Sequence, residues 1–167
     1  ILLILLLRLI GAPTIILLPS LDKSRESPWG TTNRQQKLAL ELPQESYDEI
    51  DHHCKDIGIT WFASPWDLES IEFLEQFDVV AHKVASACLT NRALLQRLKN
   101  TNKPIFLSTG MSTIEQIRTA INELESSKLI LMHAVSTYPA KPEMLNLNWI
   151  SELKSTFPKI PVGYSGH

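Results

Sequence analysis

The sequence predicts a parallel α/β fold, and three observations carry the prediction. Short apolar runs are bounded by Gly, Pro or polar residues, amphipathic helical patterns lie between them, and the strand-then-helix alternation repeats roughly every 20 to 30 residues. Apolar runs of this length without polar alternation suit strands buried on both faces, as parallel strands are.

Taken in order, residues 1 to 18 are almost all Leu or Ile, interrupted by Arg8 and by Gly11, Ala12 and Pro13. A membrane helix needs about 20 unbroken apolar residues, and no basic segment precedes this run as a signal peptide requires. The preferred reading is a helix ending near Gly11, a turn at Pro13 and a buried strand over residues 14–18. From Ser20 to Lys37 the chain is polar and rich in turn formers. Ser46 and Glu49 stand at capping-box spacing, and Tyr47, Ile50, Cys54 and Ile57 then recur at helical spacing until Gly58 ends the helix. A strand is expected over 59–63, a helix over 67–77, a strand over 79–84 and a helix over 91–99. Another strand follows over 104–107, then a helix opened by Ser112 and Glu115 with Ile114, Ile117, Ile121 and Leu124 on one face. The pattern closes with a strand over 129–133, a helix over 147–157 and a strand over 161–164.

Composition limits the function classes. The chain has 167 residues, 16 basic and 18 acidic side chains, and a net charge of −2. That balance gives no electrostatic footprint for nucleic acid, so an anionic ligand must be held by a few placed groups. Two cysteines, Cys54 and Cys88, suggest neither a disulfide scaffold nor a zinc cluster, and a reducing, cytoplasmic location is expected. The chain opens without Met and ends at Gly166-His167, and both ends read as cut.

A doubly wound sheet and a (β/α)8 barrel both fit this alternation. No Gly-x-Gly-x-x-Gly and no phosphate-binding Gly-x-x-x-x-Gly-Lys-Ser/Thr follows any strand. Instead the expected strands end in small or polar groups: Ser64, then Lys83 and Ser86, then Ser108 and Thr109, then His133 and Ser136, then Ser165 and His167. In a barrel the carboxyl ends of all strands meet on one face, where the chemistry occurs. Hydroxyls ringed around one lysine would cradle a phosphate or carboxylate, although single serines at strand ends are often turn residues. His52 and His53 are adjacent, about 100° apart on a helix, and read as a solvated face. His82 should point away from the barrel interior by strand alternation. Trp29 is expected to anchor a loop by burying its ring, and His133 fits a core position as well as a site position.

At these residues the chain resembles the sialic acid (N-acetylneuraminate) synthase family, with its legionaminic and pseudaminic acid relatives. The resemblance rests on Ser27-Pro28-Trp29-Gly30-Thr31-Thr32 with Gln36-Lys37, on Trp61 through Asp67, and on Lys83-Val84-Ala85-Ser86. It continues through Lys103 to Ser112, His133 through Pro139, and Val162 to His167. It implies an incomplete TIM barrel holding about the second to seventh of eight strands, residues 1–167 forming one partial barrel domain without the C-terminal antifreeze-like domain common in the family. It implies condensation of phosphoenolpyruvate with N-acetylmannosamine or a related N-acetylated hexose, giving a nine-carbon 2-keto sugar acid and phosphate. A divalent metal, Mn2+ or Mg2+, is implied as cofactor, with His167 as one of two metal-binding histidines. Ser64, Lys83, Ser86, Ser108 and Ser165 match phosphoenolpyruvate-binding positions, Ser136 and Tyr138 match the sugar pocket, and Lys83 and Tyr138 are the implied catalytic residues. Full-length relatives form homodimers, and neither nucleic acid nor membrane is an implied partner.

The chain also departs from the family pattern. Aligning Gly11-Ala12 with the family's Gly-Ala puts Ile16 and Leu18 where a lysine and a glutamine usually meet phosphoenolpyruvate, and Cys88 stands where many relatives carry glutamate. The alternative reading is therefore a non-catalytic fragment or pseudoenzyme lacking complete metal and phosphoenolpyruvate sites. A complete barrel takes about 250 residues, so about six strands are expected here, with two unpaired edges.

Overall fold

The computed structural model describes residues 3–8, 23–125, 128–137 and 139–166. The expected strand over 14–18, the turn at Pro13 and the aligned Ile16 and Leu18 lie outside the described residues, as do Tyr138 and His167. The chain divides into two compact units, residues 1–79 and 80–167.

In the first unit, β1 (Leu3–Arg8) pairs in parallel with β4 (Thr60–Pro65), Leu3 opposite Thr60 and Arg8 opposite Pro65. The helix expected to end near Gly11 is thus corrected. A short Leu/Ile run carries no periodicity that separates helix from buried strand, and pairing to a neighbour decides it. The polar stretch expected only to turn forms the antiparallel hairpin β2 (Ser24–Ser27) and β3 (Gly30–Thr32). Trp29, expected to be buried, sits in the hairpin turn and is 49% exposed. Helix α1 (Asn33–Leu40) follows, its first turn capped by Thr32, whose hydroxyl accepts from Gln35 N at 3.2 Å.

Helix α2 (Gln44–Asp56) begins two residues before the expected capping box, with Pro43 at its N-cap. Proline presets the backbone angle needed there, so Ser46 falls inside the first turn. Gly58, at φ +69°, lets the chain leave the helix, as expected. Asp51 on α2 accepts from Trp61 Nε1 on β4 at 3.0 Å and pairs with Lys55. Tyr47 lies in a ring cluster with Trp61, Phe73 and Phe77, at centroid distances of 5.0 to 6.1 Å. Phe73 comes from α3 (Leu68–Glu75), whose first turn is closed by Asp67 accepting from Ser70 N at 2.7 Å. Offset and edge-on aromatic contacts of this kind add about 0.5–1.5 kcal/mol per pair beyond burial.

In the second unit, β5 (His82–Val84), β6 (Ile105–Ser108), β7 (Leu129–Ala134) and β8 (Val162–Ser165) pair in parallel in that order. Helices α4 (Arg92–Lys99), α5 (Ile114–Leu124) and α6 (Asn148–Thr156) connect them. The register runs Lys83, Phe106, Ile130 across β5, β6 and β7, and Leu107, Leu131, Val162 across β6, β7 and β8. Val84, Ile105, Leu107 and Leu131 are buried, as are Leu94, Leu95, Leu98, Ile117, Ala120 and Leu124 on the helices. Asn91 caps α4 through Leu94 N at 3.2 Å. The capping box of α5 is Thr113 with Gln116, one residue later than expected, because the Ser112 hydroxyl instead donates to the Gly110 carbonyl at 3.2 Å.

Candidate active site

The site is built by strand alternation at the carboxyl ends of the second unit's strands. Paired residues of parallel strands point to one face, and every second residue along a strand shares it. Lys83 pairs with Phe106, which pairs with Ile130; Ser108 pairs with Met132, which pairs with Gly163; and Ala134 pairs with Ser165. Lys83, Ser108 and Ser165 therefore share one sheet face. The opposite face carries His82, Leu107 and Leu131, all fully buried, so His82 points away as expected.

Each polar group sits in a different environment. Lys83 is half-buried, and that burial holds its ammonium below the ordinary lysine range. Ser108 is 2% exposed, and its Oγ has no hydrogen-bond partner among the described residues. An unsatisfied buried hydroxyl costs about 1–3 kcal/mol, so its position favours a ligand atom that would pair with it. Ser165 is partly exposed at the end of β8. Ser86 opens the short 3-10 turn Ser86–Cys88 after β5, and its Oγ accepts from Gly110 N at 3.0 Å. Cys88, in the same turn, is fully buried.

Gly110, not singled out in the sequence, is where three loops meet. A Cβ there would lie 2.7 Å from Ser136 Oγ, 2.8 Å from Ser86 Oγ and 2.9 Å from the Ala134 carbonyl oxygen. Its neighbour Thr109 is tied to β7 by both its N–H and its hydroxyl, donating to the Met132 carbonyl at 3.0 and 3.2 Å. The loops after β5, β6 and β7 are thereby held in fixed register. The sequence signal was the small residue within Ser108-Thr109-Gly110-Met111.

A cavity of about 730 Å3 opens between the loops after β6 and β7, lined in part by Thr109, Gly110, His133, Ser136, Asn146 and Trp149. That volume is ample for a sugar-sized ligand. Ser136 is exposed on its wall. His133 is 5% exposed, and its Nε2 donates to the Leu145 carbonyl at 2.7 Å. Its ring also packs against Tyr164, with centroids 5.9 Å apart. Ser64, at the end of β4 in the first unit, is fully buried. His52, 80% exposed and 3.3 Å from Asp56, lies on a solvated helix face as expected.

The divalent ion needs several converging donors. Among the described residues, no group of three or more His, Cys, Asp or Glu could hold a metal ion, and His167 lies outside them. The described residues thus do not make up the expected metal site. Among the same residues, no helix is long and apolar enough to cross a membrane.

Parallel βα units with hydroxyls and one lysine on a common face are those of a (β/α)8-type fold. The chain belongs to the NeuB family, whose model matches residues 19–167. It is 37% identical over 142 residues to the N-acetylneuraminate-9-phosphate synthase of Drosophila melanogaster, covering 83% of this chain and 38% of that protein. It is 32% identical over 157 residues to the N,N'-diacetyllegionaminic acid synthase of Campylobacter jejuni, covering 87% of this chain and 47% of that protein. Among solved structures, the N-acetylneuraminic acid synthetase of Leptospira borgpetersenii, crystallised with citrate, superposes with a TM-score of 0.73 at 30% identity. That match covers 76% of this chain and 45% of the other. The chain thus carries part of a TIM barrel and spans less than half the length of these relatives.

Proposed function

We propose that the whole protein is a phosphoenolpyruvate-dependent synthase that joins phosphoenolpyruvate to an N-acetylated hexose such as N-acetylmannosamine. The observation that carries this reading is the common sheet face of Lys83, Ser108 and Ser165, with Ser86 and Ser136 brought to Gly110 beside it. Lys83 would meet the phosphate or carboxylate as a compact cation. The hydroxyls of Ser86, Ser108 and Ser165 would turn to donate to the remaining oxygens; Ser64 matches a phosphoenolpyruvate-binding position through the family resemblance alone.

In the reaction, the methylene carbon of phosphoenolpyruvate bonds to the aldehyde carbon of the open-chain sugar. The aldehyde oxygen takes a proton to become a hydroxyl. Water adds to the electron-poor carbon that bore the phosphate, inorganic phosphate departs, and a ketone remains. A fixed cation and fixed donors stabilise charge as it moves, without reorganising at the moment of reaction. Ser136 lines the sugar side, and Tyr138 and His167 belong to the proposed sugar and metal positions respectively. The buried thiols of Cys54 and Cys88 suit a reducing, cytoplasmic location.

The test is phosphate release from phosphoenolpyruvate by the full-length protein, with manganese, in the presence and absence of N-acetylmannosamine. Release that requires the sugar supports the synthase. Absence of release from the full-length protein supports the pseudoenzyme reading.

A further inference from the structure

We infer that Gly110 is a positioning residue for the phosphoenolpyruvate site, its buried N–H fixing Ser86 as a donor to an anionic oxygen of that substrate. The hydrogen bonds would run in one direction, from Gly110 N–H through the Ser86 hydroxyl to the ligand. The inference rests on the synthase reading of the face that carries Lys83 and Ser108.

Gly110 lies two residues after Ser108, so period-two alternation carries it onto that face. The backbone keeps to the ladder this far, because Thr109 N still donates to the Met132 carbonyl at 3.0 Å. The Cβ position of Gly110 meets Ser86 Oγ at 2.8 Å, which brings Ser86, beyond the end of β5, to the same face. The absence of a side chain is what permits the approach, and the Ser112 hydroxyl holds Gly110 from its carbonyl side at 3.2 Å.

Hydrogen-bond chemistry sets the direction. Gly110 is buried, and a buried backbone N–H needs an acceptor, which here is Ser86 Oγ at 3.0 Å. A hydroxyl has one hydrogen, so an oxygen already accepting from Gly110 keeps that hydrogen to give elsewhere. Among the described residues nothing accepts it, and Ser86 is partly exposed, so the hydrogen is open to a ligand. Lys83 on the same face draws an anion to it. A hydroxyl that accepts one hydrogen bond donates a stronger one, and an anionic acceptor strengthens both.

The experiment follows the Gly110 amide in full-length protein carrying 13C-carbonyl threonine and 15N-glycine. Thr109-Gly110 is the sole Thr-Gly pair in this chain, so this labelling isolates its signal. Phosphoenolpyruvate is titrated alone with diamagnetic Mg2+, and its KM is measured separately with the sugar saturating. The Gly110 amide proton should move downfield as phosphoenolpyruvate saturates wild type. In Ser86→Ala it should start upfield and stay there at saturation, while the KM for phosphoenolpyruvate rises about 10- to 100-fold. Ser86→Thr, which keeps the hydroxyl, should restore the response and most of the affinity. A Gly110 amide that stays in place although wild type turns phosphoenolpyruvate over overturns the inference and leaves the synthase reading intact. A response that survives in Ser86→Ala overturns it equally. If the amide responds through Ser86 but no phosphate is released with the sugar present, the relay stands and the synthase reading falls. Neither response nor turnover in wild type overturns both.

Discussion

Lys83 is the single charged group on the face that carries Ser108 and Ser165 among the described strands β5 to β8 of the second unit. A hydrogen bond to a charged group is worth about 1.5–3 kcal/mol, so Lys83→Ala should raise the KM for phosphoenolpyruvate in the full-length protein about 10- to 100-fold. Steady-state kinetics with the sugar saturating would check this, and an unchanged KM would remove Lys83 from the site. An ordinary lysine loses its charge near pH 10.4, and because burial lowers the affinity of Lys83 for its proton, the charge of Lys83 is lost at a lower pH than that value. The KM for phosphoenolpyruvate should therefore rise on the alkaline side below that value, and the rise should disappear in Lys83→Arg, whose guanidinium stays charged. Lys83 and Ser108 were legible in the sequence because each ends a short apolar run. Gly110 was not, because a missing Cβ acquires meaning only beside the groups that crowd it.

At the scale of elements, the loops after β5, β6 and β7 depend on close approach at Gly110. Gly110→Ala would place a methyl group less than 3 Å from two hydroxyl oxygens and a carbonyl. Overpacking of this kind typically costs about 1–3 kcal/mol, and chemical denaturation should show that loss together with a reduced kcat/KM. In the first unit, α2 is tied to β4 through Asp51 and Trp61. Burial pushes the Asp51 carboxyl upward, but hydrogen bonds from Lys55 and Trp61 outweigh it and leave the proton affinity lowered. Stability from Asp51 is therefore complete above the ordinary aspartate value of about 3.9, and is lost as pH falls through the lowered one. Asp51→Ala should cost about 1 kcal/mol near neutral pH and remove that part of the acid dependence, as urea titrations across pH would measure. Most boundaries of these elements followed from capping residues and apolar runs, as at Asn91 and Asp67. The expectation failed where chemistry allowed two starts. Pro43 overtook Ser46 at α2, Thr113 overtook Ser112 at α5, and the Leu/Ile run paired as a strand because its composition suits either element.

At the scale of the whole molecule, the alternation of strands and helices identified a parallel α/β fold, and the ordered set of strand-end motifs identified the family and, with it, the barrel. Neither followed from composition, which describes many soluble domains equally well. The polar segment before α1 concealed a hairpin, because its turn formers mark the bend without marking the short strands beside it. The site divides in the same way. Hydroxyls and a lysine on one sheet face follow from period-two alternation along parallel strands, whereas the contact of His133 with the Leu145 carbonyl arises from a loop folding back onto β7. The proposed activity is tested most directly by the stoichiometry of condensation by the full-length protein given phosphoenolpyruvate, N-acetylmannosamine and manganese. One phosphate should be released for each 2-keto sugar acid formed, with none released when the sugar is omitted. Phosphate release that ignores the sugar, or no release at all, would contradict it.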